Sequence, residues 1–137
     1  MIVRKARPED YPRVLRLAED LDLGYEGMAA DEFWVAEVRD EVVGIVGLIR
    51  HPDSLELVAL GVLEKYRLRG IGEGLVEALL AEAAGDIHLA TVIPGYFARL
   101  GFVKTSDIPV SLTARKTVDW CRGCSHELCT VMVKRRP

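Results

Sequence analysis

The sequence predicts an α/β (α+β) fold, a central mixed sheet of about six to seven strands flanked by helices on both faces. Three observations carry that expectation. Short runs rich in Val, Ile and Leu are punctuated by Gly, Pro and Asp. Three of those runs follow one another between Phe33 and Leu63, as in a meander of strands. After them, helical and strand patterns alternate to the end of the chain, which places helices on a sheet rather than in a bundle.

Met1 to Lys5 alternates as a short strand. Pro8, Glu9 and Asp10 suit a first helical turn, where proline has no N–H to waste and acids meet the positive end of the helix dipole. Tyr11, Val14, Leu15, Ala18 and Leu21 continue at helical spacing. Residues 22–30, with Gly24 and Gly27, read as an irregular or briefly helical loop. Residues 33–38 and 42–50 are two strands joined by the polar turn Arg39-Asp40-Glu41, and residues 55–63 are a third. A glycine-rich stretch over 66–74 leads into a helix carrying Leu75, Val76, Leu79, Leu80 and Ala83, which Gly85 ends. A strand over 87–92, a short helix over 96–100 stopped by Gly101, a strand from Phe102, a helix-like stretch from about residue 112 and a last strand over 130–133 complete the order.

The chain has 137 residues, half of them apolar and 28% charged, enough for one domain spanning 1–137 with a real core. A formal net charge of −3 makes no electrostatic case for nucleic acid. Lys134, Arg135 and Arg136 read as a solvated tail. No apolar run reaches the ~18 residues of a membrane span, and the charged start lacks the apolar stretch of a signal peptide. A cytoplasmic address is expected.

The most informative stretch is Arg67-Leu68-Arg69-Gly70-Ile71-Gly72, between a strand and a helix. Glycines let the backbone turn tightly and approach a ligand. The following helix aims free N–H groups and its positive end at the loop, a combination that binds phosphate. On these residues alone, a glycine-softened helix start with exposed arginines is the equal alternative. The loop lacks the Gly-Lys-Ser/Thr ending of a Walker loop, and glycines at 70, 72 and 74 do not fit the dinucleotide fingerprint.

Arg-x-x-Gly-x-Gly after a strand resembles the pyrophosphate-binding signature of GNAT acetyltransferases. The opening Val3 to Asp10, the Leu60-Gly61-Val62 segment and Tyr96-Phe97-Ala98-Arg99-Leu100-Gly101-Phe102 resemble that family's other elements in order and spacing. The resemblance implies acetyl-CoA as cosubstrate. Backbone N–H groups of Leu68, Arg69, Gly70, Ile71, Gly72 and Glu73 would hold its pyrophosphate, with Arg67 beside them. Main-chain groups of Leu60 and Val62 would bind the pantetheine arm, and a backbone N–H there would face the acetyl carbonyl and its developing oxyanion.

An amine nucleophile arrives protonated, so a base must take a proton. Glu56 is the first candidate: alternation puts Glu56, Val58, Leu60 and Val62 on one face, among apolar neighbours. The family resemblance implies the same residue, since Glu56 matches the general-base glutamate of histone acetyltransferases. The alternative is an acidic strand-end residue in water beside Asp53-Ser54. Many relatives protonate the leaving thiolate with a tyrosine, at a position that holds Phe97 here. Either the adjacent Tyr96 substitutes, or solvent does and Tyr96 is a packing or substrate wall.

Cys121, Cys124, His126 and Cys129 could form a three-cysteine, one-histidine zinc site. Free thiols are the expectation, with no metal, and a redox disulfide is the third reading. His51, before a proline turn, is expected in solvent, and His88 as strand packing. The late segment over 89–109 resembles the acetyltransferase module of N-acetylglutamate synthases, which implies a small amine such as an amino acid, its carboxylate met by Arg50, Lys104 or Arg115. A protein lysine or N-terminal acetyltransferase and a non-catalytic acyl-CoA sensor are the rivals. A homodimer stays open.

Overall fold

The computed structural model describes residues 1–116 and 129–136, and side chains to residue 114 and from 129. Among the described residues seven strands form one mixed sheet: β1 (Ile2–Lys5), β2 (Glu32–Val38), β3 (Glu41–Arg50), β4 (Leu55–Val62), β5 (Ile87–Thr91), β6 (Val103–Lys104) and β7 (Thr130–Lys134). Their order is β1-β2-β3-β4-β5-β7-β6. The helices are α1 (Tyr11–Asp20), α2 (Ile71–Glu82), α3 (Pro94–Ala98) and α4 (Val110–Lys116). The seven strands and the element order match the expectation.

The contacts group into two compact units. The first holds residues 1–49 and 57–84, and the second residues 50–56 and 85–137. In the first, β1 pairs antiparallel with β2, and β2 with β3. The β2–β3 turn is tight because Arg39 and Asp40 both adopt left-handed backbone, φ +50° and +64°, the requirement of a two-residue hairpin whose twist matches its strands.

α1 lays Val14, Leu17 and Ala18 on a core with Phe33, Val35 and Ile45. It ends with Asp22 at φ +57°; the Leu23 N–H reaches the Ala18 carbonyl (2.7 Å) and the Asp22 N–H that of Glu19 (3.1 Å), a Schellman closure. Next to Ile45, Gly44 faces the opposite side of the sheet, where a Cβ would lie 3.1 Å from Leu75 and 3.3 Å from Ile71 of α2. Alternation along β3 thus sets α1 and α2 on opposite faces of this unit, and Gly44 lets α2 sit close.

In the second unit β5 pairs antiparallel with β7, and β7 with β6. Its first segment, residues 50–56, pairs parallel with β5 through Leu55↔Ile87 and Glu56↔His88. β5 stops at Thr91 because the Thr91 hydroxyl oxygen accepts the Ile93 N–H at 2.9 Å, turning the chain into α3. α3 closes at Gly101, φ +93°, with Gly101 and Phe102 N–H groups on the Ala98 and Phe97 carbonyls, each 3.1 Å. Phe97 and Phe102 then pack edge to face at 5.8 Å.

Candidate active site

The first unit contains the loop expected to hold the cofactor. After Val62 a single 3-10 turn, Glu64–Tyr66, precedes the loop. Arg67 donates from Nε to the Val62 carbonyl at 3.0 Å, which ties the end of β4 to the loop entrance. Leu68 takes left-handed backbone, φ +64°, and its side chain is fully exposed. Gly70 caps α2 at φ +77° with no side-chain cap. The first bond into the helix runs from the Gly74 N–H to the Gly70 carbonyl, so the N–H groups of Ile71, Gly72 and Glu73 precede the helical ladder.

This arrangement fits a pyrophosphate. Leu68 and Gly70 both have left-handed backbone, a conformation that recurs in anion-binding backbone nests. A Cβ built on Gly70 would meet nothing within 4 Å, so the space before the helix end is open. Arg69 lies over the Tyr66 ring, 5.5 Å from its centroid, where the ring face holds the cation beside the loop.

β4 departs from simple alternation. Ala59, in mid-strand, has φ +52°, the backbone of a bulged strand. The regular alternation that would put Glu56, Val58, Leu60 and Val62 on one face is therefore interrupted at Ala59. Leu57 and Val58 before it are buried, and residues 59–62 after it are half-buried.

The second unit holds Glu56 and Tyr96. Glu56 is 1% exposed, so it is not the solvated strand-end acid that was the alternative. Nor is His51 in solvent: its side chain is 13% exposed, and its Nε2 lies 2.8 Å from Glu56 Oε1. The turn that returns it is closed by the His51 N–H on the Ser54 carbonyl, 2.9 Å. Sequence reading missed this contact, though a His five residues before a strand acid across a Pro-Asp turn is a usable signal.

His88, on the strand position in register with Glu56, is buried, and its Nδ1 has no hydrogen-bond partner among the described residues. Burial pushes its imidazole below the ordinary histidine range; Arg135 pushes the same way, against Asp86 and Asp107. Phe97 is buried, while Tyr96 is half-buried, edge-on to Phe97 at 5.1 Å and under the Arg99 guanidinium at 5.5 Å. Lys104 is exposed on β6.

Cys121, Cys124 and His126 lie outside the described residues, as does the Arg115 side chain. Cys129 is a half-buried free thiol. No group of three or more metal-ligating side chains occurs among the described residues, and no described helix is long and apolar enough to cross a membrane.

A strand running into a loop at the open end of a helix, within this mixed sheet, is the arrangement in which the comparisons with known proteins are read. A family model described as an acetyltransferase (GNAT) domain matches residues 29–104, more than half of the chain. The chain belongs to the GNAT acetyltransferases. An uncharacterized N-acetyltransferase of Chlorobaculum tepidum is 30% identical over 118 residues, spanning 73% of this chain and 74% of that protein.

Solved structures share the fold. N-acetylglutamate synthase of Neisseria gonorrhoeae, complexed with coenzyme A and L-arginine, superposes with a TM-score of 0.77 at 22% identity. The match covers 98% of this chain and 32% of the synthase. Rv2747 of Mycobacterium tuberculosis, in complex with CoA, has a TM-score of 0.74 at 22% identity, with both chains fully covered. Naa50 of Arabidopsis thaliana, in complex with the bisubstrate analogue CoA-Ac-MVNAL, has a TM-score of 0.70 at 19% identity, covering 99% of this chain and 100% of that one.

Proposed function

We propose that the chain transfers the acetyl group of acetyl-CoA to the primary amine of a small molecule such as an amino acid, by direct attack in a ternary complex. Backbone N–H groups of residues 68–73 hold the pyrophosphate, with Arg67 and Arg69 beside it. Main-chain groups of Leu60 and Val62 hold the pantetheine arm and face the thioester oxygen. Glu56 takes a proton from the ammonium, and the N–H electron pair becomes the lone pair that attacks the carbonyl carbon. The π pair moves onto oxygen, where a fixed backbone donor stabilises it. Collapse expels the thiolate of CoA, which takes the remaining amine proton, with Tyr96 as the side-chain hydroxyl for that step.

The observation that carries this reading is Glu56, a carboxylate 1% exposed on the strand that leads into the cofactor loop. A buried acid keeps its place only when a ligand or partner answers its charge, and it meets a protonated amine in a dry setting that strengthens the exchange. For the amino-acid class, support comes from the shared fold of a synthase solved with coenzyme A and N-acetyl-glutamate.

The test is a panel of the common amino acids, simple polyamines and short peptides with free N-termini, each incubated with acetyl-CoA and followed by mass spectrometry of the acetylated product. Turnover concentrated in free amino acids supports the proposal. Turnover confined to peptides would replace it with a protein acetyltransferase. Binding of acetyl-CoA with no turnover of any amine would replace it with a sensor.

A further inference from the structure

Glu56 is a carboxyl group almost sealed from water, and one of its partners is His51. The chain leaves β3, turns through Pro52-Asp53, and returns as β4, so that His51 Nε2 stands 2.8 Å from Glu56 Oε1. Asp53 anchors the turn: its Oδ2 accepts the Ser111 N–H at the start of α4, 3.2 Å away. An ionised carboxylate offers only lone pairs, so a contact this short requires the hydrogen on His51 Nε2. A neutral imidazole would keep its lone pair on Nδ1, away from Glu56.

We propose that His51 is a positioning residue for Glu56, its Nε2–H holding the carboxylate in the orientation in which it receives the proton of the acceptor amine. The inference rests on the reading of Glu56 as the base. The step it serves is one proton transfer, from the ammonium nitrogen to a Glu56 oxygen. His51 neither gains nor loses a proton in it. The last torsion of a glutamate is intrinsically broad, so its carboxylate is oriented by its contacts. A donor fixed on a closed turn removes that freedom, and general-base catalysis depends on the geometry it enforces.

The test combines a spectrum with kinetics on the fastest amine from the panel. In the wild-type protein with 15N-labelled histidine, long-range imidazole correlations should assign His51 as the Nε2–H form; an Nδ1–H neutral form overturns the proposal. His51→Leu should lower kcat by about ten- to a hundredfold, since a misplaced reacting group can cost up to about a hundredfold, with the acetyl-CoA KM unchanged. His51→Gln, whose amide N–H can donate to the same oxygen, should recover most of that loss. The double variant His51→Leu with Glu56→Gln should be no slower than Glu56→Gln alone, since His51 acts only through Glu56.

A folded His51→Leu protein with wild-type kcat overturns the inference and leaves Glu56 standing. So does an equal loss in the Leu and Gln variants, or additive losses in the double variant. Wild-type turnover in Glu56→Gln overturns the base reading itself, and that result comes from the Glu56 variant alone. Should His51→Leu not fold, His51→Gln and the spectrum decide: near wild-type kcat with an Nε2–H imidazole supports the proposal, and a tenfold or larger fall overturns it.

Discussion

The Arg67 guanidinium reaches back to the Val62 carbonyl, 3.0 Å from Nε, and so joins the last residue of β4 to the entrance of the cofactor loop. A residue expected to serve only as positive charge near phosphate is also a strut. It spans the 3-10 turn Glu64–Tyr66 and holds in place the two segments assigned to pantetheine and pyrophosphate. Arg69 is placed in the same spirit, over the Tyr66 ring.

The loop assignment predicts that Gly72→Val abolishes acetyl-CoA binding while the protein remains folded, because a branched side chain at the helix start would occupy the pyrophosphate's space. Arg67→Leu should weaken binding by about tenfold, the loss of one charge-assisted contact. Calorimetric titration checks both. Unchanged affinity in folded Gly72→Val would remove the assignment.

Glu56→Gln should lower turnover by about two to four powers of ten with little change in acetyl-CoA affinity. The deficit should shrink at high pH, where the amine is already neutral. Initial rates across a pH series, with affinity measured separately, check it. Near wild-type rates at neutral pH would make Glu56 a structural acid.

Two titrating groups should each cost stability on acidification, in separate pH windows. Arg4, 2.7 Å from Asp10, holds that carboxyl below its ordinary value, and the Arg7 N–H helps. The unfolded chain, with an ordinary carboxyl near pH ~3.9, then binds the proton first. The stability from this group is present above that pH and is lost as pH falls through the lower folded value. Asp10→Asn should remove that acid slope. His88 is depressed chiefly by burial, so its contribution is complete above the ordinary histidine value of about 6.5 and declines as pH falls below it. His88→Gln should flatten stability there. Urea midpoints measured across pH 3 to 8 (about this span covers both windows) test the pair.

Direct transfer predicts intersecting double-reciprocal lines in a two-substrate matrix and full activity after Cys121, Cys124 and Cys129 are all changed to Ala. Cys129 is a half-buried thiol. Parallel lines, together with loss of activity in the cysteine-free protein, would make one of these thiols an acetyl carrier.

The element order, the β2–β3 turn in Arg39-Asp40-Glu41, the Gly101 stop and the glycine-rich loop before α2 were all legible in the chain, because each is decided by residues a few positions apart. Helical and strand periodicity, left-handed glycines and a proline at a helix start act locally, and local rules read directly from sequence. Glu56 stood out by type and spacing. Three features that shape the candidate site did not. The left-handed Ala59 breaks the β4 alternation, yet alanine carries no preference for that backbone. His51 reads as solvated beside its proline, and only the folded turn brings it 2.8 Å from a buried carboxylate. His88 comes into register with Glu56 through the parallel pairing of strands more than thirty residues apart. Burial and pairing belong to the packed chain, where distant segments exclude water together, and so the tertiary structure alone decided which groups stand beside the proposed base.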